Sequence, residues 1–105
     1  KLVVRKAEST NKEFKNKLDE LRENINKIDE QLLNVLFNRN QIVGKIGKYK
    51  KDNNVTILQT TRWEELLKDK ISHAKAMGLD EEFVKQLYIL IHEDSIRQQT
   101  EIMNG

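Results

Sequence analysis

Arg39 and Lys50 are the residues whose positions first suggest chemistry in this sequence. Apolar residues recur every three or four positions on both sides of Arg39, which occupies a place where another apolar residue is expected. A buried guanidinium without an anion is very costly, so Arg39 must meet a negative group. Lys50 follows 11 residues later at nearly the same helical angle, about 16 Å along the axis, so both side chains can lean toward one small anion. Spacing alone favours a plainer interpretation, in which Arg39 pairs with a glutamate of a partner chain.

Ser95 and Gln99 are a second polar interruption, in a row of apolar residues further along the chain. They lie four residues apart, which places both side chains on one face of a helix. Buried polar groups need hydrogen-bond partners. Taken alone, the pair is best interpreted as forming an interhelical hydrogen bond.

Two further arginines, Arg22 and Arg62, extend the set of cations. Arg22 precedes Arg39 by 17 residues, about 25 Å along a helix axis, so one small ligand cannot contact both within one helix. In an antiparallel dimer, Arg22 of one chain approaches Arg39 of the other. Arg62 lies at the start of a predicted helix, whose N-terminal end prefers anions, so a solvated arginine is the plainer interpretation. The same helix end can also help to attract a carboxylate.

Together these side chains predict a cavity lined by several cations and a few neutral hydrogen-bonding groups. Such a cavity suits a small organic ligand with several negative charges. No nucleophile–base pair is apparent, and His73 and His92 are interpreted as surface or packing residues. The chemistry therefore depends on positioning and electrostatics.

The composition excludes several other classes of protein. The chain has 105 residues, enough for one domain, with 34% charged residues, a net charge of +2, two histidines and no cysteine. These values argue against a disulfide scaffold, a thiol nucleophile and a metal centre, and the interspersed charges argue against a nucleic-acid binder. With no apolar run of about 20 residues and no visible signal peptide, we expect a cytoplasmic protein without metal, cofactor or membrane contact.

The spacing of apolar residues predicts an all-α fold with a long, a short and a medium helix. The long helix spans about 14–51, the short helix runs from a capping box at Thr61 to near Met77, and Asp80 caps a third helix that ends near Met103. Residues 1–12 lack this pattern and are predicted to be a linker or disordered segment before a helical domain at 13–105. The apolar positions of the long helix, called the seam below, are Leu18, Leu21, Ile25, Ile28, Leu32, Val35, Ile42, Ile46 and Tyr49.

The length of the first helix predicts an intertwined helical homodimer. Residues 18–51 span about 50 Å as a helix, whereas a compact domain of this size is only roughly 33 Å across. A seam that extends beyond its own domain needs a partner, and an identical chain is the simplest one.

The ordered motifs of the sequence resemble those of the all-helical (AroQ-class, type II) chorismate mutases. The resemblance covers about residues 18–103 and implies conversion of chorismate to prephenate, an intramolecular Claisen rearrangement in phenylalanine and tyrosine biosynthesis. It also implies that no cofactor or metal is needed. The matching motifs are Leu21 to Asp29 with Leu32-Leu33, Asn38-Arg39, Ile46 to Lys50, Arg62, Gly78 to Asp80 with Phe83-Val84, and Ile91 to Gln99.

The resemblance also implies a role for each polar residue singled out above. Lys50 and Gln99 would contact the ether oxygen and, with Arg39, form the catalytic set. Arg39 and Ser95 would bind carboxylates, and Arg62 would support that charge network. Arg22 of the partner subunit would bind a carboxylate across the dimer.

Two positions depart from the pattern that the resemblance implies. The family commonly has Asp where this chain has Gln59 and Glu where it has Trp63, and these positions help to hold the substrate hydroxyl. Gln59 still offers its amide or its backbone, but Trp63 has only an N–H donor and cannot replace a carboxylate acceptor. Chorismate and isochorismate are therefore not distinguished by the sequence.

Other activities and a fusion partner stay open at the level of sequence. An isochorismate-pyruvate lyase, an amino-deoxychorismate mutase and a non-catalytic prephenate-sensing regulatory domain are alternatives with the same expected fold. The Arg62-Trp63-Glu64 variant and the stretch from Thr100 to Asn104 resemble mutase domains fused to a 3-deoxy-arabino-heptulosonate 7-phosphate (DAHP) synthase. The start at Lys1 and the aperiodic first residues fit a linker cut from such a fusion.

Overall fold

Three helices form the fold, in a computed structural model that describes residues 11–105. Helix α1 spans Lys12–Asp52, α2 spans Thr60–Ala76 and α3 spans Glu81–Asn104. The described part of the chain has no strand, which confirms the all-α prediction of a long, a short and a medium helix. None of the helices within residues 11–105 is long and apolar enough to cross a membrane.

Helix α1 begins two residues earlier than its apolar pattern indicated. The side-chain carbonyl of Asn11 accepts hydrogen bonds from the backbone N–H groups of Glu13 and Phe14, at 3.0 and 3.2 Å, so Asn11 caps the helix. Residues 1–10, most of the predicted linker, lie outside the described residues. The boundary between a linker and a domain at residue 13 stays a prediction.

The chain divides into two compact units, residues 1–38 and 39–105. The described part of the first unit is the N-terminal portion of α1, and its seam residues remain largely uncovered. Leu21 is 48% exposed, Ile28 60% and Val35 61%. A regular and exposed apolar row of this kind is typical of an interaction surface.

The second unit contains the last 14 residues of α1 together with α2 and α3. Its buried apolar residues are Val43, Ala74 and Val84, one from each helix. Gly47 permits a close approach of α1 to α3, since a Cβ at this position would lie 3.1 Å from Ile102 Cδ1 and 3.2 Å from Gln99 Cγ. The two helices therefore pack closely at this glycine.

The face of α1 that packs against α3 is not the seam. Val43 and Gly47 are buried, with Arg39 and Lys50 half-buried, and we call these four residues the site face. The seam residues of the same stretch, Ile42, Ile46 and Tyr49, are 58%, 44% and 74% exposed. The two rows are neighbours around the helix, and it is the row with the cations and the glycine that the chain itself covers.

The helix ends confirm the predicted cap of α3 and correct the predicted cap of α2. Asp80 Oδ2 accepts the backbone N–H of Phe83 at 2.8 Å at the start of α3, and Gly78 follows α2 with a φ of +81°, a value that suits glycine. The predicted capping box from Thr61 to Glu64 is wrong. Helix α2 already begins at Thr60, so Gln59 is its N-cap, with extended backbone and no side-chain capping bond.

Candidate anion-binding cavity

A cavity of about 290 Å³ lies within the second unit, between the site face of α1, the start of α2 and the face of α3 that carries Ser95 and Gln99. Its volume is near the lower end for small-molecule sites. Of the described residues that line it, three are cationic and none is acidic. The lining residues are Arg39, Val43, Ile46, Lys50, Ile57, Gln59, Arg62, Trp63, Leu66, Tyr88, His92, Ser95, Ile96 and Gln99.

Lys50 is held in the cavity by two acceptors from different parts of the chain. Its Nζ donates to the backbone carbonyl of Ile57 at 2.8 Å and to Gln99 Oε1 at 3.0 Å. An ammonium group has three protons, so one remains for a ligand. Burial lowers the pKa of Lys50 from its ordinary value of 10.5, because desolvation penalises the charged form.

Arg39 is held by a hydroxyl group instead of a carboxylate. Its Nη1 donates to Ser95 Oγ at 2.8 Å, and Ser95 Oγ in turn donates to the backbone carbonyl of Ile91 at 2.9 Å. A neutral partner orients the guanidinium without neutralising its charge, which leaves that charge available to an anion.

Ser95 and Gln99 confirm the prediction of interhelical hydrogen bonds. Each is only 6% exposed, and each bonds a cation of α1 from its place on α3. The two polar interruptions noticed in the sequence are therefore one feature, because the pair on α3 positions the pair on α1. No buried polar side-chain atom in residues 11–105 lacks a hydrogen-bond partner.

Six of the seven predicted site residues line this one cavity, and Arg22 does not. Gln59 and Arg62 lie at the start of α2, and both are exposed. Arg22 is on the N-terminal part of α1, with its Nη1 4.0 Å from Asp19 Oδ1. That ion pair joins side chains that are 67% and 69% exposed, so it constrains Arg22 weakly.

His92 and Trp63 also line the cavity, although His92 was predicted to have no part in the site and Trp63 was identified only as a departure from the family pattern. Their rings are stacked, with centroids 3.9 Å apart and planes inclined by 12°. Burial is the main cause that lowers the pKa of His92, and the nearby charge of Arg39 lowers it further, while Glu93 opposes both. The interpretation of His92 as a surface or packing residue agrees with a half-buried ring stacked on Trp63, but it did not include the place of His92 in the cavity lining. Its spacing carried a signal, because His92 lies three residues before Ser95 and seven before Gln99 on α3.

The three helices and the cavity define a helical domain with a positively charged cavity of the size of a small-molecule site. A family model for type II chorismate mutases matches residues 21–100, and the chain belongs to this family.

Individual relatives agree with this assignment. The chain is 34% identical over 88 residues to the bifunctional chorismate mutase/prephenate dehydratase of Escherichia coli (strain K12), a match that covers 84% of this chain and 23% of the relative. It is 33% identical over 82 residues to the protein of the same description from Buchnera aphidicola subsp. Acyrthosiphon pisum (strain APS), covering 78% and 21%. The chain thus spans less than a quarter of the length of these relatives.

Proposed function

We propose that this chain is a chorismate mutase, which converts chorismate to prephenate within phenylalanine and tyrosine biosynthesis. The observation that carries the proposal is the pair Lys50 and Arg39, fixed by Gln99 and Ser95 in a cavity with three cations and no acidic lining residue. Chorismate is a dianion whose rearrangement breaks an ether C–O bond and forms a C–C bond within one molecule. The reaction needs no proton transfer and no nucleophile.

The arrangement supports catalysis by restricted conformation and electrostatic stabilisation. Arg39 binds one carboxylate of the substrate, with Ser95 beside it and Arg62 adding positive charge at the start of α2. This fixes the molecule in the folded conformer from which the new C–C bond forms. The remaining N–H of Lys50 donates a hydrogen bond to the ether oxygen, where negative charge grows as the C–O bond breaks.

Gln99 and Gln59 complete the set of groups that meet the substrate. Gln99 Oε1 already accepts from Lys50 Nζ at 3.0 Å, which leaves the amide N–H groups of Gln99 to donate to the same ether oxygen. Gln59 lies at the N-cap of α2, where its side chain makes no capping bond, so its amide is available to the substrate hydroxyl.

A second copy of the chain completes the site in this proposal. The seam of α1 is exposed along its whole length except at Leu18, which is half-buried, and an identical chain covers it in an intertwined homodimer. Arg22 of the partner subunit then binds the second carboxylate of chorismate. The exposed seam supports this assembly, because apolar residues at this density seldom face water in a monomer.

The proposal includes a cytoplasmic location and a fused catalytic domain. Fusion is supported by the relatives, whose names pair the mutase with a second enzyme, a prephenate dehydratase. For this chain, the motif from Arg62 to Glu64 instead favours a DAHP synthase as the fused partner. No relative named above carries that enzyme, so the identity of the partner rests on the sequence motif alone.

Incubation of the purified chain with chorismate, isochorismate and amino-deoxychorismate, one at a time, tests the activity. We expect ultraviolet loss of chorismate with formation of prephenate, and little turnover of the other two compounds. Pyruvate release from isochorismate would instead identify a lyase. Tight binding of prephenate without any turnover would identify a regulatory domain.

A further inference from the structure

Gln59 is the acceptor proposed above for the substrate hydroxyl, and the cavity contains a second candidate whose ring is held in place, His92. A ligand hydroxyl enclosed with its proton unpaired loses affinity. Among the described residues, no carboxylate lines the cavity. Three of its acceptors, Ser95 Oγ, Gln99 Oε1 and the carbonyl of Ile57, already accept from the cations Arg39 and Lys50.

Three lining side chains keep an acceptor without a hydrogen bond in the described part of the chain: Gln59, Tyr88 and His92. Of these, a neutral imidazole nitrogen is much the most basic and so the strongest acceptor. His92 is half-buried, whereas Gln59 is exposed. The imidazole is also the one whose ring plane is fixed, by the stack of its face on Trp63 at 3.9 Å.

The charges around His92 keep it in the form that accepts. Arg39 of α1 opposes protonation of the ring, and Glu93 of α3 favours it less strongly. Lys50 of α1 and Arg62 of α2 line the same cavity and add positive charge. Burial lowers the pKa of His92 below 6.5, so one ring nitrogen is an acceptor and the other a donor at neutral pH.

We propose that His92, with its ring fixed by Trp63, accepts the hydroxyl proton of the bound substrate and makes the site select for a hydroxylated dianion. His92 is then a binding residue, and Trp63 is a positioning residue that acts through it. Trp63 thereby contributes to hydroxyl recognition although it has no acceptor of its own. This inference rests on the proposed function, because chorismate supplies the hydroxyl.

The test compares chorismate with an analogue in which hydrogen replaces the hydroxyl group. In His92→Phe, which keeps an aromatic ring to stack but has no acceptor, we expect KM for chorismate to rise about tenfold. The inhibition constant of the deoxy analogue should stay within about twofold, and kcat should change little, since the hydroxyl is not a reacting group. His92→Gln, which restores an acceptor, should recover most of the affinity for chorismate.

Further variants separate this role from competing assignments. Trp63→Leu should raise KM for chorismate in part and leave the inhibition constant of the analogue unchanged. Trp63→Phe keeps a stacking ring and should change both constants little. If His92→Phe weakened the binding of chorismate and of the deoxy analogue equally, the inference would be overturned, whether or not the melting temperature also fell. The inference would also be overturned if Tyr88→Phe selectively weakened chorismate binding and His92→Phe did not.

The outcome also distinguishes this inference from the proposed function. If the unmodified chain neither binds nor converts chorismate, the proposed function and the role of His92 are both wrong. If it converts chorismate and the His92 variants do not discriminate between chorismate and the analogue, only the role of His92 falls.

Discussion

Two faces of helix α1, the seam and the site face, differ in their exposure to solvent. The seam is apolar, yet Ile42 and Tyr49 remain 58% and 74% exposed. The site face carries two cations and a glycine, yet it packs against α3 through hydrogen bonds from Arg39 and Lys50. Apolar spacing alone thus identifies a surface that is exposed in the single chain, whereas the polar residues with paired acceptors identify the surface that packs within the chain.

The largest expected effect comes from the site face. Lys50→Ala removes the charge that we place at the breaking ether bond, so kcat should fall about a thousandfold. The fold should persist, because Ile57 and Gln99 can bond to water in place of the ammonium. The turnover of chorismate measures the change in kcat, and circular dichroism checks that the helices persist.

Lys45→Ala is the matched control for this variant. Lys45 is an exposed lysine of the same helix, outside the cavity, and its loss should leave kcat nearly unchanged. Normal turnover in Lys50→Ala, or an equal loss in both variants, would contradict the role assigned to the site face.

A smaller effect is expected from a change in the seam. Ile28→Glu places a charge on a residue that is 60% exposed in the single chain but covered in the proposed dimer. Dimer formation should weaken, and activity should fall about a hundredfold at low protein concentration, because each site loses Arg22 of the partner subunit. Analytical ultracentrifugation alongside the chorismate assay checks both effects.

Asn26→Glu serves as the control for the seam variant, since it adds the same charge two residues away, outside the seam. It should leave the dimer and its activity intact. A fully active monomeric Ile28→Glu protein would show that the seam has no part in the site.

The pH dependence of activity gives a subtler test of the site face. Lys50 acts when protonated, and its pKa is lowered from 10.5 by burial. Activity should therefore decline as pH rises through a value below that of an exposed lysine. In Lys50→Arg, which stays charged, this alkaline decline should disappear even if the rate is lower. An identical alkaline limb in both proteins would assign it to another group.

Stability should change with pH in the opposite sense. Because the folded chain binds this proton less tightly than the unfolded chain, the contribution of Lys50 to the free energy of unfolding rises as pH increases through the folded pKa toward 10.5. Urea unfolding of the unmodified chain and of Lys50→Arg, measured across this pH range, separates the change in stability from the loss of activity.

Sequence reasoning found the helices and most of the site for identifiable physical reasons. Apolar periodicity locates the three helices, and a charged or polar residue in an apolar row stands out, as Arg39, Ser95 and Gln99 do. Sequence spacing does not show which helices pair, so the link between Lys50 and Gln99 needed the fold. The spacing of His92 places it on the same face of α3 as Ser95, but a histidine there is not recognisable as part of the site until its stack on Trp63 is visible. The predicted capping box was wrong because α2 begins at Thr60, one residue earlier, and its N-cap Gln59 makes no side-chain capping bond.

We propose that Arg22 of one chain completes the cavity of the other, and mixing two inactive variants tests this sharing most directly. Arg22→Ala and Arg39→Ala should each lack chorismate mutase activity as homodimers. When the two are unfolded and refolded together, half of the dimers are mixed, and each mixed dimer has one site with both arginines. About a quarter of the unmodified activity should then return. No recovery, in mixtures whose mixed dimers are verified by mass spectrometry, would contradict the claim.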